Sequence, residues 1–395
     1  MYRIALLNSI SPAIYGPLGE AYRVSPQEDT PDGILVRSQN MLEMDIPESL
    51  LAVARAGAGV NNIPLERMSA AGVCVFNTPG ANANAVCELV LLAMLLSCRD
   101  VLGGIAWERG LSLSGEALER AVEKGKSAFT GPELRGKTLG VIGLGAIGVR
   151  VANAAAALGM NVLGYDPMIS VEHAWRLSRA VQRENTLDAL FSACDFLTVH
   201  VPLNDKTRGL IGARAFSLCR KGVRVFNFSR AGLVDEEALI QALGTGTVAR
   251  YVTDFGSERL LATEGVICMP HLGASTPESE ENCALMAATQ LRDYLEHGAI
   301  VNSVNLPSLE LGPCTRPRLL CIHENVPNLL GAITSKVAAF GLNISDLLNR
   351  SRGALAVSAL DLDAVDEARR AALLAALAEI PGMRRVRLLL AKEDS

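Results

Sequence analysis

Short apolar runs alternate with longer segments of helical periodicity along most of the chain. Arg3 to Leu7, Gly33 to Val36, Leu51 to Ala54 and Val73 to Phe76 are too short for helices and are bounded by turn residues, so they read as buried parallel strands of a first α/β unit. From Ala83 to Arg99 the chain is dominated by AVCELVLLAMLLSC, with no charge between Glu88 and Arg99. That length suits a buried helix between domains rather than a membrane span. Residues 103–136 are polar and glycine-rich and read as a crossover to a second unit.

The stretch Thr138 to Asp166 organises that second unit. Leu139 to Ile142 is a strand, and Gly143, Gly145 and Gly148 spell G-x-G-x-x-G. Val149, Ala152, Ala156 and Leu158 form a helical stripe that stops at Gly159. A second strand, Asn161 to Tyr165, ends on Asp166. Strand, glycine turn, helix, strand and terminal acid make a dinucleotide-binding βαβ unit. Gly143 makes the tight turn, Gly145 admits a pyrophosphate to the backbone, and Gly148 lets helix and strand close up. The helix start offers N–H groups and a positive dipole end to phosphate. Asp166 is placed to accept hydrogen bonds from ribose hydroxyls, and Pro167, Met168 and Ile169 supply no cation for a 2′-phosphate, which predicts NAD rather than NADP.

The strand pattern continues at Phe196 to Val201, Val223 to Phe228, Tyr251 to Thr253 and Val266 to Met269. Each run delivers polar residues at its carboxyl end, where open α/β sheets bind ligands. Those residues are His200 with Val201 and Pro202, Ser229 with Arg230, Asp254, and His271. In the first unit the equivalent positions are Arg37 and Ser38, Arg55 and Gly57, and Asn77 to Asn82. Thr276 is a good N-cap with Pro277 at N1, so a helix is expected from there to His297. Leu306 to Pro317, with three prolines, reads as a linker. From Arg318 the pattern is strand, helix, strand, strand, helix, strand, with Leu329, Leu330, Ile333, Val337 and Phe340 on one side of the first helix.

Composition narrows the partners. The 395 residues suffice for two or three domains, and 49% hydrophobic with 20% charged residues describes a globular protein. A net charge of −5 argues against nucleic acid or an anionic membrane as partner. The start MYRIALLNSI lacks a signal peptide's h-region, so a cytoplasmic location is expected. Nine cysteines without a C-x-x-C pair read as reduced, apolar thiols, with no metal expected.

The order of the glycine motif with Asp166, NFSRAGLVDEEAL around Arg230, DFGSE with Asp254 and Glu258, and PHLGAS with His271 resembles the D-2-hydroxyacid dehydrogenase family. The segment from Arg318 resembles an ACT domain. The resemblance implies a Rossmann-type dinucleotide-binding domain (99–277) inserted in a flavodoxin-like substrate domain (1–98 and 278–310), followed by an ACT domain (318–395). It implies NAD-dependent oxidation of 3-phospho-D-glycerate at the entry to serine synthesis. A glyoxylate or hydroxypyruvate reductase and a non-enzymatic NAD-sensing partner protein are the alternatives. His271 would be the general base, since imidazole titrates near working pH, with Glu258, or else Glu264, orienting it. Arg230 would bind the substrate carboxylate. Asp254 would meet the nicotinamide, and Ala146, Ile147, Phe228, Gly273 and Ala274 would complete the cofactor site. Arg37, Ser38, Arg55, Gly57 and Asn82 would bind substrate. His323, Asn325 and Asn343 would bind L-serine as effector, and a homodimer or homotetramer is expected.

Overall fold

The computed structural model describes residues 1–390. The chain divides into two compact units, one made of Met1–Ala81 together with the chain from Glu280 onward, the other of Asn82–Ser279.

In the first unit the strands β1 (Tyr2–Leu6), β2 (Tyr22–Ser25), β3 (Gly33–Val36), β4 (Ala52–Arg55) and β5 (Cys74–Phe76) form a parallel sheet of order β2-β1-β3-β4-β5. β3 is buried at every position because both sheet faces are covered, which is why it reads as an unbroken apolar run. β2 escaped the sequence pattern: only Tyr22 in it is buried, so no apolar run marks it.

The second unit carries β6 (Thr138–Ile142), β7 (Asn161–Tyr165), β8 (Val181–Arg183), β9 (Phe196–Val199), β10 (Val223–Asn227), β11 (Val248–Thr253) and β12 (Val266–Cys268). Their order is β12-β11-β10-β9-β6-β7-β8, all parallel. Strand order reverses between β6 and β9, and at such a switch point a crevice opens at the carboxyl ends. The helix Ala83–Cys98 buries Val86, Val90, Ala93 and Met94 in the same core as Val149 and Ala152 of the helix Ala146–Ala157. Residues 82–98 therefore belong to this unit, where the sequence had assigned 1–98 to the first. Residues 103–136 are not a featureless crossover but contain most of the helix Val101–Arg109 and all of Gly115–Gly125. Neither helix has a fully buried residue, and the short apolar stripe of Leu118, Ala121 and Val122 in the second lies among charged residues. Among the described residues no single helix is long and apolar enough to cross a membrane; Ala83–Cys98 and Val101–Arg109 reach that length only as a pair bent by 67°.

The last strands, β13 (Arg318–Glu324), β14 (Ile344–Arg352), β15 (Leu355–Leu362) and β16 (Met383–Leu389), form an antiparallel sheet of order β14-β15-β13-β16. With the helices Leu329–Ala339 and Glu367–Ala378 this is the expected βαββαβ arrangement. Asn328 starts the first helix at φ 65, a backbone state that Asn tolerates better than other non-glycine residues. Alternation along β13 sends Leu319 and Cys321 to the two helices, and Leu320 and Ile322 to the opposite face. That opposite face shares a core with Ala287, Leu291 and Tyr294 of the helix Pro277–His297 and with Ile4 and Leu35 of the first sheet. Three arginines fasten it. Arg318, held by both oxygens of Asp361 within the sheet, donates to His297 O at 2.9 Å; Arg385 donates to Ala71 O and Arg387 to Leu295 O. The segment expected as a separate domain from residue 318 is thus packed into the first unit.

Candidate active site

The glycine turn lies at the end of β6. Gly143 has φ +90, and a Cβ there would lie 2.5 Å from His200 O; a Cβ on Gly148 would lie 1.9 Å from Gly143 O. Neither position admits a side chain. A Cβ on Gly145 would meet nothing within 4 Å, so that side of the turn is open, next to the first N–H groups of the helix Ala146–Ala157. Ala146 and Ile147 form its first turn. Asp166 closes the arrangement: Oδ2 accepts from Leu144 N and Oδ1 from Met168 N, both at 2.8 Å, which fixes the carboxylate against the turn and leaves further lone pairs on both oxygens.

Across the switch point, the His200 N–H donates to Ile142 O at 2.7 Å and its Nε2 lies 2.9 Å from Thr198 Oγ1. Its Nδ1 is buried without a hydrogen-bond partner, and burial pushes the imidazole down to about 4. Val201 packs beside Gly143 and Pro202 follows.

The carboxyl ends of β10 and β11 and the segment after β12 place Arg230 and His271 where the charge of each acts on Asp254. Asp254 is buried, its Oδ1 has no partner, and desolvation raises its pKa against the opposing pull of His271 and Arg230. Gly273 lies against it: a Cβ there would be 3.6 Å from Asp254 Oδ2 and 3.3 Å from Val86. His271 is exposed and meets the ring of Phe255 edge-on, with centroids 5.0 Å apart. Ala274 follows Gly273 before the Thr276 cap, whose hydroxyl accepts from Ser279 N at 3.1 Å. Phe228 is buried in the core, and Ser229 Oγ donates to Val199 O at 2.9 Å. Asn227, which the sequence did not single out, is fully buried; it donates to Arg230 O and accepts from Ser229 N, and so shapes the loop that presents Arg230. A buried amide ending an apolar strand was the available signal.

Glu258 does not pair with His271. It is exposed in the first turn of the short helix Glu258–Leu261, Glu264 is exposed as well, and neither places a carboxylate oxygen within 4.0 Å of the imidazole nitrogens. The spacing explains this, because Glu258 falls in the turn that Ser257 caps through its hydroxyl.

On the substrate side, Asn8 Oδ1 accepts from three successive N–H groups, those of Arg37, Ser38 and Gln39, at 3.1, 3.0 and 2.9 Å. Arg37 Nη2 pairs with Glu280 Oε1 at 2.6 Å. Arg55 donates from Nε to Arg37 O at 2.9 Å and from Nη1 to Gly59 O, and Gly57 N donates to Thr78 Oγ1 at 2.8 Å. Asn82 precedes the helix Ala83–Cys98 without capping it through its side chain. Neither Asn8 nor Glu280 was foreseen, since neither is near Arg37 in sequence.

The three effector residues do not share a free cluster. His323 is buried, with Nδ1 at 2.7 Å from Glu324 O and Nε2 at 2.9 Å from Ser358 Oγ, and burial lowers its pKa. Both ring nitrogens are used, so its expected role as an effector ligand is corrected to a structural one. Asn325 donates to Gly353 O and Asn343 to Asp363 Oδ2.

The family model for the D-isomer specific 2-hydroxyacid dehydrogenase NAD binding domain matches residues 105–273, the segment that holds the glycine turn, Arg230, Asp254 and His271. Over 297 residues the chain is 38% identical to D-3-phosphoglycerate dehydrogenase of Homo sapiens, covering 72% of this chain and 53% of that one. It is 35% identical over 326 residues to the enzyme of that name from Methanocaldococcus jannaschii, covering 80% and 59%. The chain spans about half the length of the curated relatives it matches. Among solved structures it is similar to NAD+-bound 3-phosphoglycerate dehydrogenase of Entamoeba histolytica, with TM-score 0.59, 27% identity and 78% and 99% of the two chains covered. It is also similar to a glyoxylate reductase from Paecilomyes thermophila, with TM-score 0.62, 25% identity and 77% and 98% covered.

NAD is the cofactor of such a domain, and the groups present fit it. The open side of Gly145 and the helix N-terminus suit a pyrophosphate, the immobilised Asp166 suits a ribose diol, and the unpartnered Asp254 Oδ1 suits an amide donor.

Proposed function

We propose that the protein oxidises 3-phospho-D-glycerate to 3-phosphohydroxypyruvate with NAD, the step that opens L-serine synthesis. The observation that carries the reading is the convergence of Arg230, Asp254 and His271 at the carboxyl ends of one parallel sheet, beside a loop built for the dinucleotide. When bound, NAD supplies the hydride acceptor. His271 takes the hydroxyl proton at an imidazole nitrogen, and its exposure lets that proton pass to solvent. Arg230, with the forked N–H donors of a planar guanidinium, holds the substrate carboxylate and the oxygen that becomes the carbonyl. In this conformation Asp254, not Glu258, is the carboxyl group whose field reaches the imidazole; Glu258 serves as partner only after the loop 255–258 moves. Arg37 and Arg55, with Ser38 and Gly57, receive the phosphate.

A homo-oligomer belongs to this reading. Leu92, Leu95, Val101, Leu102 and Ile105 are exposed apolar side chains on the paired helices Ala83–Cys98 and Val101–Arg109, more than a solitary subunit ordinarily leaves to water on adjacent helices.

One observation favours the reductase reading, namely that Arg37 is already neutralised by Glu280, which weakens its claim to a phosphate. Steady-state kinetics of the purified protein with NADH and 3-phosphohydroxypyruvate, hydroxypyruvate and glyoxylate separates the two. The phosphorylated keto acid should lead in kcat/KM by at least about tenfold, the worth of one charge-assisted contact. A lead for glyoxylate establishes the reductase, and no turnover of any of them leaves an NAD-binding partner protein. NADP(H) should perform clearly worse than NAD(H) because of Asp166.

A further inference from the structure

Glu280 lies in the first turns of the helix Pro277–His297, 243 positions along the chain from the arginine it binds. The Arg37–Glu280 pair is short, at 2.6 Å, and both side chains remain 41% exposed, so neither ion is walled off from an incoming solute. Asn8 clamps the backbone on which Arg37 stands, and Arg55 donates to the carbonyl oxygen of that same residue. The loop is therefore already fixed, while the carboxylate that Arg37 contacts belongs to a different element. A carboxylate on an arginine at the carboxyl edge of a parallel sheet occupies the place an anionic ligand would take.

We propose that Glu280 is a specificity-determining residue, an internal competitor that holds Arg37 until a phosphate displaces it. The inference rests on the phosphoglycerate reading above. With Glu280 ionised the pair has no net charge, and a dianionic phosphate has to push a carboxylate aside before it reaches the guanidinium. Displacing Glu280 from Arg37 is required only of a ligand whose phosphate needs that guanidinium, so a phosphorylated acid bears the cost and an unphosphorylated one, whose single carboxylate is directed to Arg230, does not. The residue thereby sets how tightly the phosphorylated acid is held.

Glu280→Gln removes the charge and keeps the shape. In that variant the KM for 3-phosphohydroxypyruvate should fall about threefold to fivefold, the range of a half-exposed ion pair, and by at least about threefold more than the KM for hydroxypyruvate. Inorganic phosphate, used as a competitive inhibitor against hydroxypyruvate, should show a Ki lowered by a similar factor. In an Arg37→Ala background Glu280→Gln should produce neither change. Equal shifts for both keto acids, an unchanged phosphate Ki, or a Glu280→Gln effect that persists without Arg37 overturns the proposal, and a thermal melt of each variant identifies loss of folded protein. A wild type that turns over hydroxypyruvate but not the phosphorylated acid removes the functional reading and this inference together. A wild type active on the phosphorylated acid but indifferent to Glu280→Gln removes the inference alone.

Discussion

The two units treat their candidate residues in opposite ways. In 82–279 several groups that would meet a ligand are left open: Gly145 faces nothing, Asp254 Oδ1 and His200 Nδ1 have no partner, and His271 is exposed, while Arg230 donates to the neighbouring Ser229 O and Asp166 accepts from two N–H groups of its own turn. In the other unit the candidates are already engaged, Arg37 by Glu280, Arg55 by carbonyls and His323 by Glu324 O and Ser358. A polar side chain in a pattern carries information only about what it can bind; whether the protein itself has claimed it depends on elements far away in sequence. Unsatisfied buried groups are costly and rare, so the open set is the stronger sign of a ligand site.

The largest test of that contrast is His271→Ala, which should lower kcat by roughly 10²- to 10⁴-fold while NADH still binds by fluorescence titration. Turnover within a few fold of wild type would place the base elsewhere. Running Glu258→Gln beside it shows whether the exposed glutamate enters the reaction at all.

Next comes Gly148→Ala. The new methyl would sit 1.9 Å from Gly143 O, so helix and turn must separate. About 3 kcal/mol should be lost in denaturant titration, with weakened NADH binding. A variant as stable as wild type would mean that the turn is not rigid.

His200 supplies a pH test. Its folded value of about 4 lies below the ordinary 6.5 of an imidazole in water, so the unfolded chain takes up a proton that the folded one refuses. Stability is complete above pH 6.5 and falls as pH drops towards about 4, by roughly 3 kcal/mol. His200→Gln should flatten that limb. His323, also lowered, contributes in the same direction and must be compared separately.

The smallest effect is expected from Asn325→Ala with Asn343→Ala, whose exposed hydrogen bonds should cost under about 1 kcal/mol together. Calorimetry with millimolar L-serine should give the same trace for this variant and for wild type. A serine heat that disappears in the double variant would restore the effector site and undo half of the contrast.

What could be read from sequence follows the same division. The glycine turn was readable because its constraint is local: three glycines, a strand and a helix lie within one short segment, and each forbids a side chain for reasons of backbone geometry. Arg230, Asp254 and His271 were readable as strand-end residues of one repeating pattern. Glu258 misled, because residue type and rough spacing do not say which way a capped helical turn points. Asn8 and Glu280 could not be found, since their roles exist only once β1 and the helix Pro277–His297 have met β3. The helices Val101–Arg109 and Gly115–Gly125 have no fully buried residue, and the glycines and charges of 103–136 masked the short stripe of Leu118, Ala121 and Val122.

The core that joins Ile4 and Leu35 to Leu291, Tyr294, Leu320 and Val357 has a consequence during synthesis on the ribosome. Residues 82–279 are contiguous and can complete their own core as soon as they emerge. The first sheet cannot: its covering side chains are translated only after the whole insertion, a delay on the order of tens of seconds at ordinary elongation rates. For that interval the nascent chain carries an open apolar sheet whose natural cover does not yet exist, which makes the earliest part of the polypeptide the last to be finished and the natural client of a chaperone.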